Sequence, residues 1–196
     1  RKPVKTGAIF SEKNESVSMQ IINDTSAMIP EPCVATIGFF DGVHMGHRYL
    51  IQQVKEIAAA KGLRSALVTF PVHPRKVMNA AYHPELLTTP EEKTNLLAGT
   101  GVDYCLMLDF TPDISRLTAK EFMTQILKER YQVKYLVIGY DHRFGHNRSE
   151  GFDDYVRYGQ AIGIEVIRAQ AYTDDIQIDT TQSAPVSSSL IRKLLH

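Results

Sequence analysis

Two histidines, His44 and His47, form the residue pattern that most clearly indicates a catalytic or binding role. They lie where an apolar run gives way to residues with helical spacing, so both rings can face one side of a helix's first turn. An imidazole titrates near neutral pH and can donate a hydrogen bond to a phosphoryl oxygen. The N–H groups and the positive dipole end of the same helix favour an anion. We therefore predict a phosphate site that can neutralise charge developing in a phosphoryl-type transition state.

Two glycines, Gly42 and Gly46, accompany the histidine pair. A residue without a Cβ permits positive φ and lets the backbone approach a bulky triphosphate. Two other interpretations stay open, namely a capping turn with two solvated histidines and one half of a zinc site. Zinc is disfavoured because neither Cys-x-x-Cys nor His-Glu-x-x-His accompanies the pair.

The stretch 139–151 is the second segment whose residues indicate a catalytic or binding role. It follows an apolar run and contains one aspartate, Asp141, together with several basic or histidine side chains and three glycines. Loops at strand ends often carry binding residues, and this composition is unlike that of a mere connector. Asp141 either anchors a ligand or caps the turn by hydrogen bonds to nearby backbone. The residues alone favour neither interpretation.

The third segment is a run of serines, Ser187, Ser188 and Ser189, that precedes an apolar-periodic stretch. One serine suffices to cap a helix, so capping explains at least one of the three. A helix start that offers several hydroxyls, with Arg192 one turn in, also makes an anion site able to hold a pyrophosphate.

Alternating strands and helices are the elements that must position these segments. Apolar runs predict strands over 33–40, 64–70, 103–108, 135–139 and 164–169, and helical spacing predicts helices over 48–60, 90–97, 119–130 and 151–163. Strand, helix and strand in succession form a βαβ unit. Such a unit implies an α/β fold with a parallel sheet and a ligand crevice at the carboxyl ends of its strands.

Composition limits the kind of protein. With 196 residues and 43% hydrophobic content, the chain can bury one sizeable core as a single domain. Basic and acidic residues number 22 each, which argues against a nucleic-acid partner or a membrane surface. Cys33 and Cys105 lie in apolar runs and are expected to be buried core thiols, which suits a reducing cytoplasm. The sequence contains neither a bilayer-spanning apolar run nor a signal-peptide pattern at its start, so we expect a cytoplasmic protein.

The run Gly-Phe-Phe-Asp-Gly-Val-His-Met-Gly-His, from Gly38 to His47, resembles the first motif of the nucleotidylyltransferase superfamily. Its fuller form resembles the FMN adenylyltransferase (FAD synthetase) module of bacterial bifunctional riboflavin kinase/FMN adenylyltransferases. The resemblance implies a Rossmann-like, doubly wound parallel sheet. It also implies transfer of AMP from ATP to FMN, giving FAD and pyrophosphate with Mg²⁺.

Three further segments carry the same resemblance. The loop with Thr69, Phe70, His73 and Pro74 is similar to the family's Thr-Phe-x-Pro-His-Pro, departing at Val72. The loop from 139 resembles Gly-x-Asp-Phe-x-Phe-Gly, with His142 where the family more often has phenylalanine. The serine run resembles Ser-Ser-Thr-x-Ile-Arg, with serine in place of threonine at position 189.

The resemblance assigns roles residue by residue. The catalytic residues it implies are His44, His47, Asp141 and Arg192, with Asp141 also able to reach Mg²⁺ directly or through water. The nucleotide-binding residues are Gly38, Phe39, Phe40, Asp41, Gly42, Gly46, Gly139, Ser187, Ser188 and Ser189. The flavin-binding residues are Phe70, His73, Pro74, Asp141 and Phe144.

Residues 31–196 are expected to form the adenylyltransferase domain, with 1–30 a tail or edge segment whose short run 19–22 could be an edge strand. No residues follow that could encode a riboflavin kinase domain, although the full-length protein could carry one. We therefore expect the chain to adenylylate FMN and not to phosphorylate riboflavin. Two rival interpretations remain: a nucleotidylyltransferase with another phosphate acceptor, such as phosphopantetheine or a phospho-alcohol, and a non-catalytic nucleotide- or flavin-binding module.

Overall fold

The fold of this chain is given by a computed structural model, which describes residues 18–23, 28–29, 31–139 and 142–172. The strands within these ranges are β1 (Gln20–Ile22), β2 (Cys33–Ile37), β3 (Arg64–Thr69), β4 (Tyr104–Met107), β5 (Val133–Ile138) and β6 (Glu165–Arg168). All their pairings are parallel, in the order β1-β4-β3-β2-β5-β6. The predicted parallel sheet is confirmed, and the run at 19–22 contributes its edge strand β1.

The helices follow the strands in alternation. They are α1 (Met45–Lys61), α2 (Pro74–Met78), α3 (Pro90–Ala98), α4 (Pro112–Ser115), α5 (Ala119–Phe122) with a π-helical continuation Met123–Arg130, and α6 (Phe152–Ile162). The chain runs outward from β2 through β3 to β4 and then returns across the sheet to β5, on the other side of β2. This reversal confirms the doubly wound topology. It creates a crevice between the carboxyl ends of β2 and β5, where open α/β sheets bind ligands.

Helices cover both faces of the sheet because side chains alternate along each strand. On β3, Leu67 packs in one cluster with Ile51 of α1 and Leu97 of α3. Its neighbours Ala66 and Val68 face the opposite cluster, which contains residues of α5, the π-helical segment and α6. Both sides of β3 are therefore buried, which explains why its three central residues, 66–68, are all apolar rather than alternating with polar ones.

Local sequence signals explain most helix boundaries. Helix α3 begins with a capping box: the Thr89 hydroxyl accepts from the Glu92 backbone N–H at 3.2 Å, and Glu92 Oε2 accepts from the Thr89 N–H at 2.9 Å. At the end of α1, Gly62 adopts the left-handed conformation with φ of 65°. A glycine in this conformation ends the helix after Lys61.

Two features differ from the sequence-based expectation, and a third agrees with it. The loop after β3 contains the short helix α2, because His73 caps it and Pro74 provides its first residue. The predicted helix 119–130 changes to π-helical geometry at Met123, with the Tyr131 N–H donating to the carbonyl oxygen of Ile126 at 3.1 Å. The buried thiols Cys33 and Cys105 agree with expectation, since both are free and lie in the core.

Candidate functional site

The two histidines predicted to act together lie face to face at the start of α1. Their ring centroids are 3.5 Å apart, and the ring planes differ by 17°. His44 is the N-cap of the helix, because its Nδ1 accepts from the backbone N–H of His47 at 3.2 Å. A neutral His44 must then carry its proton on Nε2, which makes Nε2 the donor toward a phosphoryl oxygen.

The turn between β2 and the histidines is strained. Phe40, Gly42 and Val43 all have positive φ, at 56°, 75° and 39°. The strain places the buried Phe40 ring edge-on against His47, with centroids 5.3 Å apart. Backbone strain of this kind is held only where the surroundings determine it, and it concentrates at functional sites. The turn therefore fixes the orientation of the His47 ring through its contact with Phe40.

Asp41 is buried in the same turn, and its carboxylate is hydrogen-bonded to other protein groups. Its carboxylate accepts hydrogen bonds from the backbone N–H groups of Leu87 and Thr88 and from the Thr88 hydroxyl, at 2.9 to 3.1 Å. The same hydroxyl accepts from the Gly42 N–H at 3.2 Å. Asp41 thus anchors the segment before α3 to the histidine turn. The motif resemblance assigned Asp41 to nucleotide binding. The structure shows its carboxylate oxygens bonded to Leu87 and Thr88.

The remaining glycines assigned to the nucleotide lie around the crevice. Gly38 directly follows β2, with its N–H donating to the carbonyl oxygen of Val68 at 3.0 Å, and Gly139 directly follows β5. Gly46 is in the first turn of α1. At Gly42, a Cβ would come within 2.8 Å of Leu87 Cδ1, and the positive φ adds strain for any other residue. The tight turn therefore requires glycine at this position.

A cavity of about 700 Å³ opens beside the histidine turn, at the carboxyl ends of β2, β3 and β4 and the loop after β5. Four residues predicted to bind flavin line it: Phe70, His73, Pro74 and Phe144. Phe39, which the sequence assigned to the nucleotide, also lines it. Its neighbour Phe40 packs against His47, so two consecutive residues contact the cavity and the histidine pair respectively.

The cavity combines aromatic walls with positive charge. Its other lining residues include Ile37, Arg75, Met78, Phe110, Ile114, Phe122, His142, Arg143, His146 and Arg148. No aspartate or glutamate lines it within the described part of the chain. A planar ring system that carries an anionic group would match both properties.

Sequence reasoning missed two of the aromatic walls, Phe110 and Phe122. Phe110 follows the strand β4, and its ring packs edge-on against Phe70 at 5.6 Å. Its position after a parallel strand was a signal that could have placed it on the ligand edge. Phe122 lies on the apolar face of the helix predicted over 119–130, a position typical of core packing, and its ring centroid is 5.7 Å from that of Phe144. Periodicity does not distinguish a core residue from a cavity wall.

His142, the departure from the family motif, lines the same cavity. Its Nε2 is buried and has no hydrogen-bond partner among the described residues. Burial, with the nearby positive charge of Arg148, lowers the pKa of His142 to about 4. The imidazole is therefore neutral at physiological pH, unlike the arginines around it.

Phe144 is held in place by Tyr155 of α6. The two rings stack at 4.2 Å with planes 15° apart. The Tyr155 hydroxyl accepts from the Phe144 N–H at 3.0 Å, and it also lies 3.1 Å from the carbonyl oxygen of Glu150. Helix α6 thereby fixes the loop that forms one side of the cavity.

Replacing Tyr155 with phenylalanine should loosen this loop with little change to the core. The buried Phe144 N–H loses its acceptor, which costs about 1–2 kcal/mol of unfolding free energy. We expect a lower urea midpoint and faster proteolysis within 143–150. Tyr158→Phe, on the same helix, is the control and should leave the loop protected. Equal protection of the loop in Tyr155→Phe and in the unmodified protein would contradict the role given to Tyr155.

Five of the predicted site residues lie outside the described ranges. They are Asp141, Ser187, Ser188, Ser189 and Arg192. Among the residues that are described, no group of three or more His, Cys, Asp or Glu side chains could hold a metal ion. No helix in the described ranges is long and apolar enough to cross a membrane.

Comparison with known proteins gives consistent results. The family model described as FAD synthetase matches residues 26–183. The bifunctional riboflavin kinase/FMN adenylyltransferase of Escherichia coli K12 is 33% identical over 174 residues, which cover 89% of this chain and 53% of that protein. The protein of the same name from Listeria monocytogenes is 34% identical over 163 residues, covering 83% and 49%. This chain thus spans about half the length of these curated relatives.

A solved structure shares the fold. A crystal structure described as a macrolide-efflux protein from Streptococcus pneumoniae aligns with a TM-score of 0.74 and 27% sequence identity. The alignment covers 88% of this chain and 55% of that one. The architecture is therefore one that experiment has observed.

Proposed function

Because the chain belongs to the FAD synthetase family, we propose that it transfers the adenylyl group of ATP to the phosphate of FMN, releasing FAD and pyrophosphate. One observation carries the proposal. The histidine pair at the start of α1 and the aromatic, cationic cavity both lie at the ligand-binding edge of a doubly wound sheet, where the consecutive residues Phe40 and Phe39 contact one each. A phosphate-transfer group and a flavin-sized cavity are thus connected by one short turn.

The cavity is the proposed FMN site. A planar isoalloxazine ring suits walls made by Phe39, Phe70 and Phe144, because offset and edge-on ring contacts stabilise aromatic pairs. The phosphate of FMN suits the positive charge of Arg75 and Arg143 at the same cavity. About 700 Å³ is within the range of sites that bury most of a ligand of this size.

The histidine turn is the proposed adenylyl-transfer site. An oxygen of the FMN phosphate attacks the α-phosphorus of ATP in line, and the bond from that phosphorus to the bridging oxygen of the pyrophosphate breaks. The Nε2 proton of His44 and the ring of His47 stabilise the charge that develops on the α-phosphoryl oxygens. No covalent enzyme intermediate is needed, since positioning and charge stabilisation suffice. Arg192 and the serines from Ser187 to Ser189 are proposed to hold the leaving pyrophosphate.

Mg²⁺ is proposed to accompany the ATP phosphates, where it neutralises charge when bound. Mg²⁺ prefers oxygen ligands and usually takes substrate phosphates with one or two carboxylates. The histidine pair has only nitrogen ligand atoms, and the carboxylate oxygens of Asp41 accept hydrogen bonds from Leu87 and Thr88. As the motif resemblance implies, Asp141 is the protein carboxylate that we propose beside the metal, directly or through water.

Incubation with FMN, ATP and Mg²⁺, followed by chromatographic separation of the flavins, tests this function. We expect FAD to form in step with pyrophosphate. Riboflavin with ATP is the matched control, in which any FMN formed would report a kinase activity separate from adenylyl transfer. Adenylylation of 4′-phosphopantetheine instead of FMN would show a related transferase with another acceptor. FMN and ATP binding without pyrophosphate release would show a non-catalytic binding module.

A further inference from the structure

Lys93 of α3 is buried, with 3% of its surface exposed, although it belongs to a residue type that is rarely enclosed. Its Nζ donates to the carbonyl oxygen of Phe39 at 3.0 Å and to that of Phe70 at 3.1 Å. The same Nζ lies 3.9 Å from the centroid of the Phe39 ring. A lysine is therefore enclosed at the junction of two loops that both form the cavity.

The protonated form of Lys93 is fully accounted for by these contacts. An ammonium group has three N–H donors and no acceptor. Two of them meet carbonyl oxygens, and the third side of the group faces an aromatic ring, which attracts a cation. A neutral amine has only two N–H groups and a lone pair, so it cannot satisfy the same three neighbours. The contact depends on the charge.

Lys93 acts on the cavity through other residues. Phe39 and Phe70 line the cavity, whereas Lys93 does not. The Phe39 carbonyl oxygen also accepts from the Thr69 hydroxyl at 3.2 Å, and the Phe39 ring packs edge-on against His73 at 4.9 Å. One ammonium thus joins the backbone after β2 to the backbone after β3 and supports the ring between them.

We propose that Lys93 is a positioning residue for flavin binding, whose ammonium holds Phe39 and Phe70 as the walls of the FMN cavity. The inference rests on the proposed function, since it takes the cavity to be the flavin site. Replacing the ammonium by an apolar group leaves the Phe70 carbonyl oxygen without this donor and the Phe39 carbonyl oxygen with the Thr69 hydroxyl alone, and it lets the Phe39 ring change rotamer. The walls are then no longer preformed. Binding must order them, and the free energy that this costs lowers the affinity for the ligand.

Titration of Lys93 gives the proposal a pH signature. Burial lowers the pKa of Lys93 to about 8, with the facing groups Asp41 and Cys105 opposing the shift. The Cys105 thiol, whose own pKa burial raises to about 11, stays neutral near pH 8. FMN affinity should fall as pH rises through about 8 and the ammonium is lost. Protein stability should follow the opposite direction there, because between about 8 and the ordinary value of 10.5 the unfolded lysine binds more protons than the folded one.

The test measures the Kd for FMN by quenching of flavin fluorescence, without ATP, from pH 7.5 to 9.5. Over this range the FMN phosphate is already fully ionised. We expect Lys93→Met to raise the Kd by at least about tenfold at pH 7.5, as for loss of a charge-assisted contact. The unmodified protein should lose affinity with pH. Lys93→Arg, whose guanidinium stays charged, should bind with a nearly flat pH profile.

Lys55→Met is the matched control. Lys55 of α1 also donates to a backbone carbonyl oxygen, that of Thr100 at 2.7 Å, but does not line the cavity or contact its walls. It should lower the melting temperature and leave the Kd for FMN unchanged. Equal FMN affinity in Lys93→Met and the unmodified protein would overturn the inference. If Lys93→Met does not fold, a flat pH profile for FMN binding by the unmodified protein would overturn it instead.

The outcome for Lys93 is separable from the outcome for the proposed function. FAD formation with FMN binding independent of Lys93 would overturn this inference and leave the function standing. FMN binding that depends on Lys93, without any FAD formation, would do the reverse. Failure of the unmodified protein to bind FMN at all would overturn both.

Discussion

His47→Ala should lower the turnover number for FAD formation by about two orders of magnitude or more while the protein stays folded. The variant removes a preorganised donor that acts on charge formed in the transition state. The backbone N–H of His47, which His44 Nδ1 accepts, is retained, so the cap of α1 survives. We therefore expect a fall in kcat with smaller changes in the KM values for ATP and FMN.

His47 is the better test position because His44 has two roles. His44→Ala would remove the helix cap as well as the ring, at about 1 kcal/mol of stability, and would mix folding with catalysis. His83→Ala is the matched control, since His83 is exposed and does not line the cavity. Turnover of His47→Ala equal to that of His83→Ala would contradict the catalytic role of the histidine pair.

The second large effect is expected on stability. Asp41→Ala should reduce the free energy of unfolding by about 3 kcal/mol, because a buried carboxylate and its partners lose their hydrogen bonds. The backbone N–H groups of Leu87 and Thr88 would be left without this acceptor. Asp41→Asn, which keeps one acceptor oxygen, should lose about half as much. Urea unfolding in the absence of nucleotide and flavin measures both changes.

This experiment also separates two roles for Asp41. If its carboxylate served only to bind nucleotide, the ligand-free variant would keep the urea midpoint of the unmodified protein. Asp113→Ala is the control: the Asp113 side chain is 92% exposed and pairs with Arg116 on the surface. Its removal should change the unfolding free energy by less than about 0.5 kcal/mol.

The sheet could be predicted because its signals are local and strong. Apolar runs predicted β2, β3, β4, β5 and β6, and βαβ succession predicted that they are parallel. Helix α2 could not be found in this way, since five residues are too few for a helical period. The π-helical turn at Met123 also escaped, because the spacing of apolar residues alone does not separate it from an α-helix.

The candidate site was predictable only where a motif carries it. Glycine and histidine spacing identified the turn before α1, but the burial of Asp41 depends on a segment 46 residues away in sequence, which no local pattern reports. Lys93 occupies a helix position that sequence reasoning assigns to solvent or packing. Its enclosure follows from the meeting of two strand ends, and strand order is a property of the whole sheet.

The place of β2 in the sheet governs when the site can form. On one side β2 pairs with β3, which follows it closely, and on the other with β5, where Cys33 is opposite Val133. Closing so long a loop is slow, because chain entropy is lost before the contacts are gained. During synthesis the histidine turn emerges well before the loop carrying Phe144, which can join Phe39 at the cavity only after β5 has been made. Assembly of the ligand crevice is therefore coupled to a late step of folding, while the half built from β2, β3 and α1 can begin to form first.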